Sequence, residues 1–304
     1  MIKTKFIDDF IKRYDYPESA VHEIDRLFEK SQTDKYFEAD MESIINKYFA
    51  DTSNGLGQTQ DKIFEISKRY NEDKYTLCLF FLILALPYSK EIYNKKGLDE
   101  DIFYDTMDDI RCKLNECIEC KEVPGTFVLT WYNGILNAET ISLGRFEYEV
   151  SDFGFKEYTF SDGKTIKKGD ITINFHIPSS GVPISDEVRF DSYKKAYEHF
   201  RHLYPDGKVV FECSSWLLYP EQKKFLPEKS NILRFIDDFV IIESEKRDKF
   251  YDAWRVFGKY ADLPPRKLPR DNSMRKAYAD WMSKGRQTGF GRGIFAFDGE
   301  KIIK

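Results

Sequence analysis

The sequence predicts an α+β protein in which an all-helical domain precedes a domain of mixed strands and helices. Two observations predict this order: apolar residues recur at helical spacing up to about residue 122, and strand-like segments follow Pro124-Gly125. Aromatic residues make up 16% of the 304 residues, which is ample material for packed cores. A chain of this length accommodates two cores, so we expect domains at 1–124 and 125–304.

Six segments of the first domain carry apolar residues on one face of a helix. The segment 76-TLCLFFLILAL-86 is much shorter than the roughly 20 residues that span a bilayer, and we interpret it as a buried helix. The predicted breaks are 53-SNGLG-57 and Pro87. The predicted helices lie near 6–14, 21–28, 37–48, 58–70, 73–87 and 99–120.

Strand patterns dominate the first part of the second domain. Strands are predicted at 126–131, 142–150 and 171–177, with a turn at 161-SDG-163. The loop 178-PSSGVP-183 and a helix from Asp186 or Asp191 then lead to a buried strand from Lys208. Strand, loop, helix and strand in this order form a βαβ unit, which makes the two strands parallel.

The last third alternates in the same way. A glycine, Gly285, is expected to end the helix that Asp271 or Asn272 caps. The predicted elements are a short helix at 220–225, a strand at 239–243, helices at 248–260 and after 272, and a last strand or hairpin from 288 to 297.

Composition narrows the class of protein. The 47 basic and 52 acidic residues are interspersed and give a net charge of −5, which argues against nucleic acid or membrane as the main partner. Five cysteines and a charged amino terminus without a signal pattern favour the cytoplasm. Cys112, Cys117 and Cys120 have the spacing of a ferredoxin motif, but helical periodicity separates the first two around the helix, so we expect no cluster.

The stretch 211-FECSSWLLYPE-221 places polar residues at the end of an apolar strand. Buried polar groups cost free energy unless they are hydrogen-bonded or used. Alternation along the strand puts Glu212 and Ser214 on one face, with Cys213 and Ser215 on the other. We interpret these hydroxyls as lying at the mouth of a ligand cleft, with helix capping as the competing interpretation.

The sequence resembles the two-domain GNAT-like acyltransferases of Gram-positive bacteria, in which a helical N-acyltransferase domain precedes a GNAT-like domain. The similar stretches are spread over about two-thirds of the chain in the order of the family. They are 97-GLDEDIFYDTMDDI-110, 143-LGRFEYE-149, 176-HIPSSGVP-183, 192-SYKKAYEHF-200, 213-CSSWLLYPEQKKFLPEKSNILRF-235 and 268-LPRDNSMRKAYADWM-282.

This resemblance implies an acyl-CoA such as acetyl-CoA as co-substrate, and no metal. Its pyrophosphate would bind backbone amides at a loop that opens a helix. We assign that role to 178-PSSGV-182, that is to Pro178, Ser179, Ser180, Gly181 and Val182, although the usual pattern Arg/Gln-x-x-Gly-x-Gly/Ala is missing there. A literal match, 286-RQTGFG-291, follows a helix instead of opening one, and we interpret it as a helix end running into a glycine-rich hairpin.

Acyl transfer to an amine also requires a base and a group that stabilises the carbonyl oxygen or the leaving thiolate. Ends of parallel strands meet at one edge of a sheet, where ligands of α/β proteins bind. His176 is therefore our first candidate base and Glu212 the second. Ser214, Ser215 and Tyr219 are candidate donors.

Ordinary structural roles compete with these assignments. His176 could simply hydrogen-bond a neighbouring loop, Ser214 and Ser215 could cap a helix near Pro220, and Arg145 could form an ion pair instead of binding phosphate. For His199 and His202 a solvated helix face is the expected role, since no third metal ligand is apparent.

We therefore expect an N-acyltransferase that uses acyl-CoA and a small-molecule amine, without nucleic acid or membrane partners. The sequence leaves the acceptor and the oligomeric state open. A non-catalytic binding module on the same fold is the alternative, and a thiol-dependent hydrolase built on Cys213 is the third hypothesis.

Overall fold

A computed structural model describes all 304 residues and divides the chain into two compact units, Met1–Ile141 and Ser142–Lys304. This division lies later than the predicted one at residue 124, because residues 125–141 bond to the helices before them. The Ser89 hydroxyl donates to the carbonyl of Leu136 at 2.9 Å, and the Tyr93 hydroxyl donates to that of Ile135 at 2.8 Å.

The first unit is helical, as predicted. Aspartate side chains accept backbone N–H groups at the start of two helices, Asp34 before α3 and Asp73 before α5. The helices are α1 (Lys5–Arg13), α2 (Glu18–Thr33), α3 (Lys35–Ala50), α4 (Gly57–Tyr70), α5 (Lys74–Lys95), α6 (Glu100–Met107), α7 (Asp109–Lys121) and α8 (Tyr132–Leu136).

Helix α5 is the apolar centre of this unit. The predicted break at Pro87 is wrong, because the helix continues through the proline to Lys95. The missing N–H of Pro87 costs one helical hydrogen bond, which the burial of residues such as Leu86 and Ser89 offsets. By length and composition alone α5 could cross a membrane; 67% of its most apolar stretch is buried inside the protein, as in the core helix of a globular domain.

The strand predicted at 126–131 is also wrong. The Thr126 N–H donates to the carbonyl of Tyr75 at the start of α5, and Gly125 lies so close that a Cβ would meet the Thr76 nitrogen at 2.7 Å. The chain then turns through a 3-10 helix, Leu129–Trp131, into α8. The apolar residues of this segment are therefore buried against helices and not in a sheet.

The second unit is built on a mixed sheet with the order β1-β2-β5-β6-β8-β7, with β9 beside β8. Strands β5 and β6 are parallel, whereas the β2–β5, β6–β8, β7–β8 and β8–β9 pairs are antiparallel. The strands are β1 (Thr140–Leu143), β2 (Phe146–Asp152), β3 (Glu157–Thr159), β4 (Thr165–Lys167), β5 (Ile171–His176), β6 (Val209–Ser215), β7 (Val240–Arg247), β8 (Thr288–Phe297) and β9 (Ile302–Ile303).

Four α-helices belong to this unit: α9 (Asp186–Phe200), α10 (Asn231–Asp237), α11 (Ala253–Phe257) and α12 (Ser273–Ser283). The helix predicted at 248–260 is shorter than expected, since only Ala253–Phe257 is α-helical and a 3-10 turn follows. The predicted βαβ unit is confirmed as β5, α9 and β6.

An aromatic core fills the space between α9 and the sheet. The Tyr193 ring on α9 lies 4.9 Å from that of Phe295 on β8, and the Phe146 ring on β2 lies 4.9 Å from that of Phe175 on β5. Phe211 on β6 is completely buried among them. This core determines which face of the sheet is left for polar side chains.

A buried ion pair ties α9 to α10. The Arg189 guanidinium donates to the Asp238 carboxylate at 2.7 and 3.2 Å, and also to the carbonyl of Ile184 just before α9. Arg189 is only 2% exposed. Removing one partner would leave the other charge buried without compensation.

We expect Arg189→Met to lower the free energy of unfolding of the second unit by about 3–5 kcal/mol. Arg201→Met is the matched control, since its ion pair with Glu198 is more than half exposed and should contribute less than about 1 kcal/mol. Urea unfolding followed by tryptophan fluorescence measures both, because Trp216, Trp254 and Trp281 lie in this unit. Equal losses in the two variants would contradict a structural role for the buried pair.

Candidate active site

Strands β5 and β6 present a polar face on the side of the sheet opposite the aromatic core. In the parallel register Asn174 lies beside Glu212, so these two side chains share a face, while Phe175 and Phe211 point to the core. His176, two residues after Asn174, is on the polar face as well. The predicted alternation is thus confirmed, with Ser214 on the side of Glu212.

His176 is held by a carboxylate on the neighbouring strand. Its Nε2 lies 3.0 Å from Oε1 of Glu149, and the Asn174 side-chain amide donates to the same oxygen at 2.8 Å. A carboxylate accepts hydrogen bonds, whereas the Asn174 amide nitrogen, which lies 3.2 Å from the same Nε2, donates them, so the two contacts require opposite tautomers. The contact with the carboxylate is the shorter of the two and places the proton of a neutral imidazole on Nε2. The His176 side chain is 29% exposed.

Glu212 is a buried carboxyl group on the same face. Its carboxylate lies 3.5 Å from the Arg292 Nε on β8, and the Thr172 hydroxyl donates to it at 3.5 Å. Burial raises the pKa of Glu212 above its usual value, and the opposite charge of Arg292 only partly counteracts this. Glu212 is therefore a weaker acid than an exposed glutamate and can hold or accept a proton closer to neutral pH.

The parallel ladder is short. It ends at the pair Asn174 and Glu212, although β5 continues to His176 and β6 to Ser215. Beyond that pair each strand is bonded only on its outer side, β5 to β2 and β6 to β8. The edge at which the predicted site residues meet is therefore also the place where the two strands stop pairing.

The loop after β5 is held by Arg145. Its guanidinium donates to the carbonyls of Pro178 and Val182, each at 2.9 Å. These two hydrogen bonds fix both ends of the loop at 178–182. Gly181 has a φ of +82° and no neighbour where a Cβ would stand. Asp186 in the first turn of α9 pairs with Arg189 at 2.9 Å.

Three of the predicted residues lie apart from this polar face. Ser215 accepts the N–H of Leu217 at 3.1 Å and thereby caps the 3-10 turn at 216–218, closer than the helix near Pro220 for which capping was considered. The Tyr219 ring packs against Gly289 and lines a separate cavity that includes neither His176 nor Glu212. Cys213 faces the aromatic core, where burial raises the pKa of its thiol far above its usual value.

Sequence reasoning missed Glu149, Asn174 and Arg292 as members of this site. Asn174 could have been found, because it alternates with His176 along one strand. Glu149 reaches the site because β2 pairs with β5, and Arg292 reaches it because β6 pairs with β8. Local sequence patterns do not predict these pairings.

The chain matches two family models, which together cover both of its units. Residues 5–137 match a family model described as an N-acyltransferase N-terminal domain, and residues 140–295 match one described as a GNAT-like C-terminal domain. A search among curated proteins found no match.

Solved structures share the fold. An acyltransferase in complex with decanoyl-CoA has a TM-score of 0.74 at 18% identity, and one in complex with decanoyl-CoA and teicoplanin has a TM-score of 0.70 at 18% identity. Each alignment covers 97% of this chain and 88% of the other. A third, in complex with CoA and 10C-teicoplanin, has a TM-score of 0.71 at 17% identity, over 96% and 88% of the two chains.

The raised pKa of Glu212 predicts a pH dependence of stability. The folded protein keeps this proton to higher pH than the unfolded chain, so the free energy of unfolding falls as pH rises from about 4.5 to the raised pKa. Glu212→Gln removes that dependence. The stability of the variant relative to the parent should therefore increase with pH, by up to about 1.4 kcal/mol per pH unit in that window.

Urea unfolding at pH 4.5, 6 and 7.5 measures this difference. Glu243→Gln is the control for loss of a negative charge near Arg292, because its carboxylate lies 3.9 Å from the same guanidinium but is 46% exposed. A stability difference for Glu212→Gln that stays constant or shrinks with rising pH would contradict the assignment.

Proposed function

Because the chain belongs to the family that joins an N-acyltransferase N-terminal domain to a GNAT-like C-terminal domain, we propose that it transfers an acyl group from acyl-CoA to an amine. The observation that carries this proposal is the polar face at the end of the β5–β6 ladder. Two groups able to accept a proton, His176 and Glu212, lie there beside strands that have stopped pairing.

The donor is proposed to bind where β5 and β6 stop pairing. The pantetheine arm of CoA is extended and carries amides, so it can hydrogen-bond a strand as an added peptide does. Its pyrophosphate would bind N–H groups of the loop at 178–182, where Gly181 in a left-handed conformation and small serines permit close approach. The donors are those of Ser179, Ser180 and Gly181, because Pro178 has no N–H and the Val182 N–H donates to the Ser180 hydroxyl. Asp186 and Glu187 carry negative charge in the first turn of α9, which opposes the attraction of the helix dipole for an anion. The loop amides must therefore contribute more to the binding of the pyrophosphate than the helix dipole does.

The acceptor amine must lose a proton before or as its nitrogen attacks the thioester carbonyl carbon. We assign this proton to the imidazole of His176, with Glu149 stabilising the imidazolium that forms. Glu212 is the second proton acceptor. The tetrahedral intermediate then loses the CoA thiolate as the carbon–sulfur bond breaks, and the exposed hydroxyl of Ser214 is placed to donate to the oxyanion or to the thiolate.

The acceptor is proposed to be a small molecule with an amino group. The interspersed charges and the five free cysteines support a cytoplasmic enzyme without a nucleic acid or membrane partner.

We expect His176→Ala to lower kcat/KM by about 10²–10⁴ with a panel of small amines, because the general base is lost. Thiol release from decanoyl-CoA or acetyl-CoA measures the reaction, and calorimetry should give an unchanged affinity for acyl-CoA. His202→Ala is the matched control, since this exposed histidine lies in the 3-10 turn after α9 and hydrogen-bonds the carbonyl of His199. Full activity of the His176 variant would exclude it as the base.

We expect Gly181→Val to weaken acyl-CoA binding by about tenfold or more, because the branched side chain blocks the loop amides and opposes the left-handed conformation. Gly207→Val carries a similar backbone cost, with a φ of +69° and no neighbour near its Cβ, but lies at the opposite edge of the sheet. Calorimetry with decanoyl-CoA compares the two. No binding to the parent at millimolar ligand would instead favour the non-catalytic binding module.

A further inference from the structure

A cavity of about 580 Å³ lies where β7 ends and β8 begins, and we name it the β8 cavity. Its walls include Tyr219, Lys246, Phe250, Trp281 and Arg286. This volume is in the range of pockets that hold small-molecule ligands. The walls share no residue with the polar face of β5 and β6, so the β8 cavity is separate from the candidate acyl-transfer site.

Two flat walls of the β8 cavity are fixed by other rings. Phe250 stacks on Tyr278 with ring centroids 5.0 Å apart and planes at 8°, and Trp281 stacks on Phe225 at 4.7 Å and 25°. The Trp281 indole N–H also donates to the carbonyl of Gln287 at 2.8 Å. Rings held in this way offer rigid apolar surfaces, which favours a flat ligand over a flexible one.

Around the β8 cavity cations outnumber carboxylates by one, because Lys224, Lys246 and Arg286 stand against Glu221 and Asp248. Glu221 pairs with Lys224 at 2.6 Å, whereas Asp248 accepts from the neutral side-chain amide of Gln287 and keeps its charge. Lys246 and Arg286 form no ion pair within the chain, and Arg286 lies 5.5 Å from the centre of the Trp281 ring. Two cations beside an aromatic wall attract an anionic group.

Tyr219 adds a hydroxyl group. Its ring lies over Gly289, where a Cβ would come within 2.6 Å of the ring carbon Cε2, so only glycine permits this position. Its hydroxyl makes no hydrogen bond within the chain, although the residue is 4% exposed. This phenol can donate to an anion that Lys246 and Arg286 attract.

We propose that the β8 cavity binds a small ligand in which a flat ring is joined to a carboxylate or phosphate group. The ring would lie against Trp281 and Phe250, and the anion would contact Lys246, Arg286 and the Tyr219 hydroxyl. The nucleotide end of CoA and a free aromatic acid both have this chemistry, and they are distinguished by competition.

Calorimetry on the full chain tests this with 4-hydroxyphenylacetate and adenosine 3′,5′-bisphosphate as probes, and with the neutral 4-methylphenol for comparison. At least one anion should bind more tightly than the neutral phenol and quench tryptophan fluorescence. Lys246→Gln/Arg286→Gln should weaken that binding by about tenfold or more. The control Lys195→Gln/Lys223→Gln removes the same charge from exposed ion pairs on the same unit and should leave it unchanged.

Decanoyl-CoA is then added in competition. Displacement of the probe would indicate that the nucleotide end of CoA binds in the β8 cavity. Unchanged binding of the probe would indicate that the cavity binds a ligand other than CoA. Both outcomes support a site for a flat ring joined to an anion. The proposal is overturned if neither anion binds at millimolar concentration, or if both double variants lose affinity equally. Either result would leave the proposal of acyl transfer unaffected, because Lys246 and Arg286 have no role in the proposed reaction.

Discussion

The parallel register between β5 and β6 is the constraint on which the candidate site depends. The pairing of Asn174 with Glu212 fixes the face that each strand presents. A slip of one residue would turn Glu212 into the aromatic core and Phe211 out of it, which would bury a charge among rings. The aromatic packing on α9 therefore enforces the position of the carboxyl group, although the two lie on opposite sides of the sheet.

The two sides of that sheet serve different physical purposes. On the α9 side, edge-to-face rings such as Tyr193 and Phe295 and the buried pair of Arg189 with Asp238 hold the strands and the start of α9 in place. On the other side, the hydrogen bond from His176 to Glu149 is partly exposed and can respond to a ligand. Rigidity behind a reactive group limits the reorganisation that a reaction requires.

Local sequence pattern predicted the βαβ unit because alternation along 171-ITINFH-176 and the turn at 178-PSSGVP-183 are encoded within a few residues. It could not predict the partner of His176, since Glu149 arrives through the antiparallel register of β2, 27 residues away in sequence. The false strand at 126–131 arose for the same reason: apolar residues packed on α5 have the composition of a strand, and only the tertiary contact of Gly125 distinguishes them.

The literal phosphate-loop pattern at 286-RQTGFG-291 shows why spacing without context misleads. It opens β8 and no helix, so its amides follow one another along a strand that pairs with β7 and do not converge at a helix start. Gly289 and Gly291 leave room for Tyr219 and for the carbonyl of Leu218, and Gly293 continues the series beneath Phe239, where a Cβ would meet the side chain at 2.7 Å. The glycines are thus required by close packing on alternate positions of one strand. Successive amides of a strand point in alternate directions and do not converge on one anion. The recognition proposed at this end of β8 therefore rests on side chains such as Lys246 and Arg286, in contrast to phosphate binding by a glycine-rich loop.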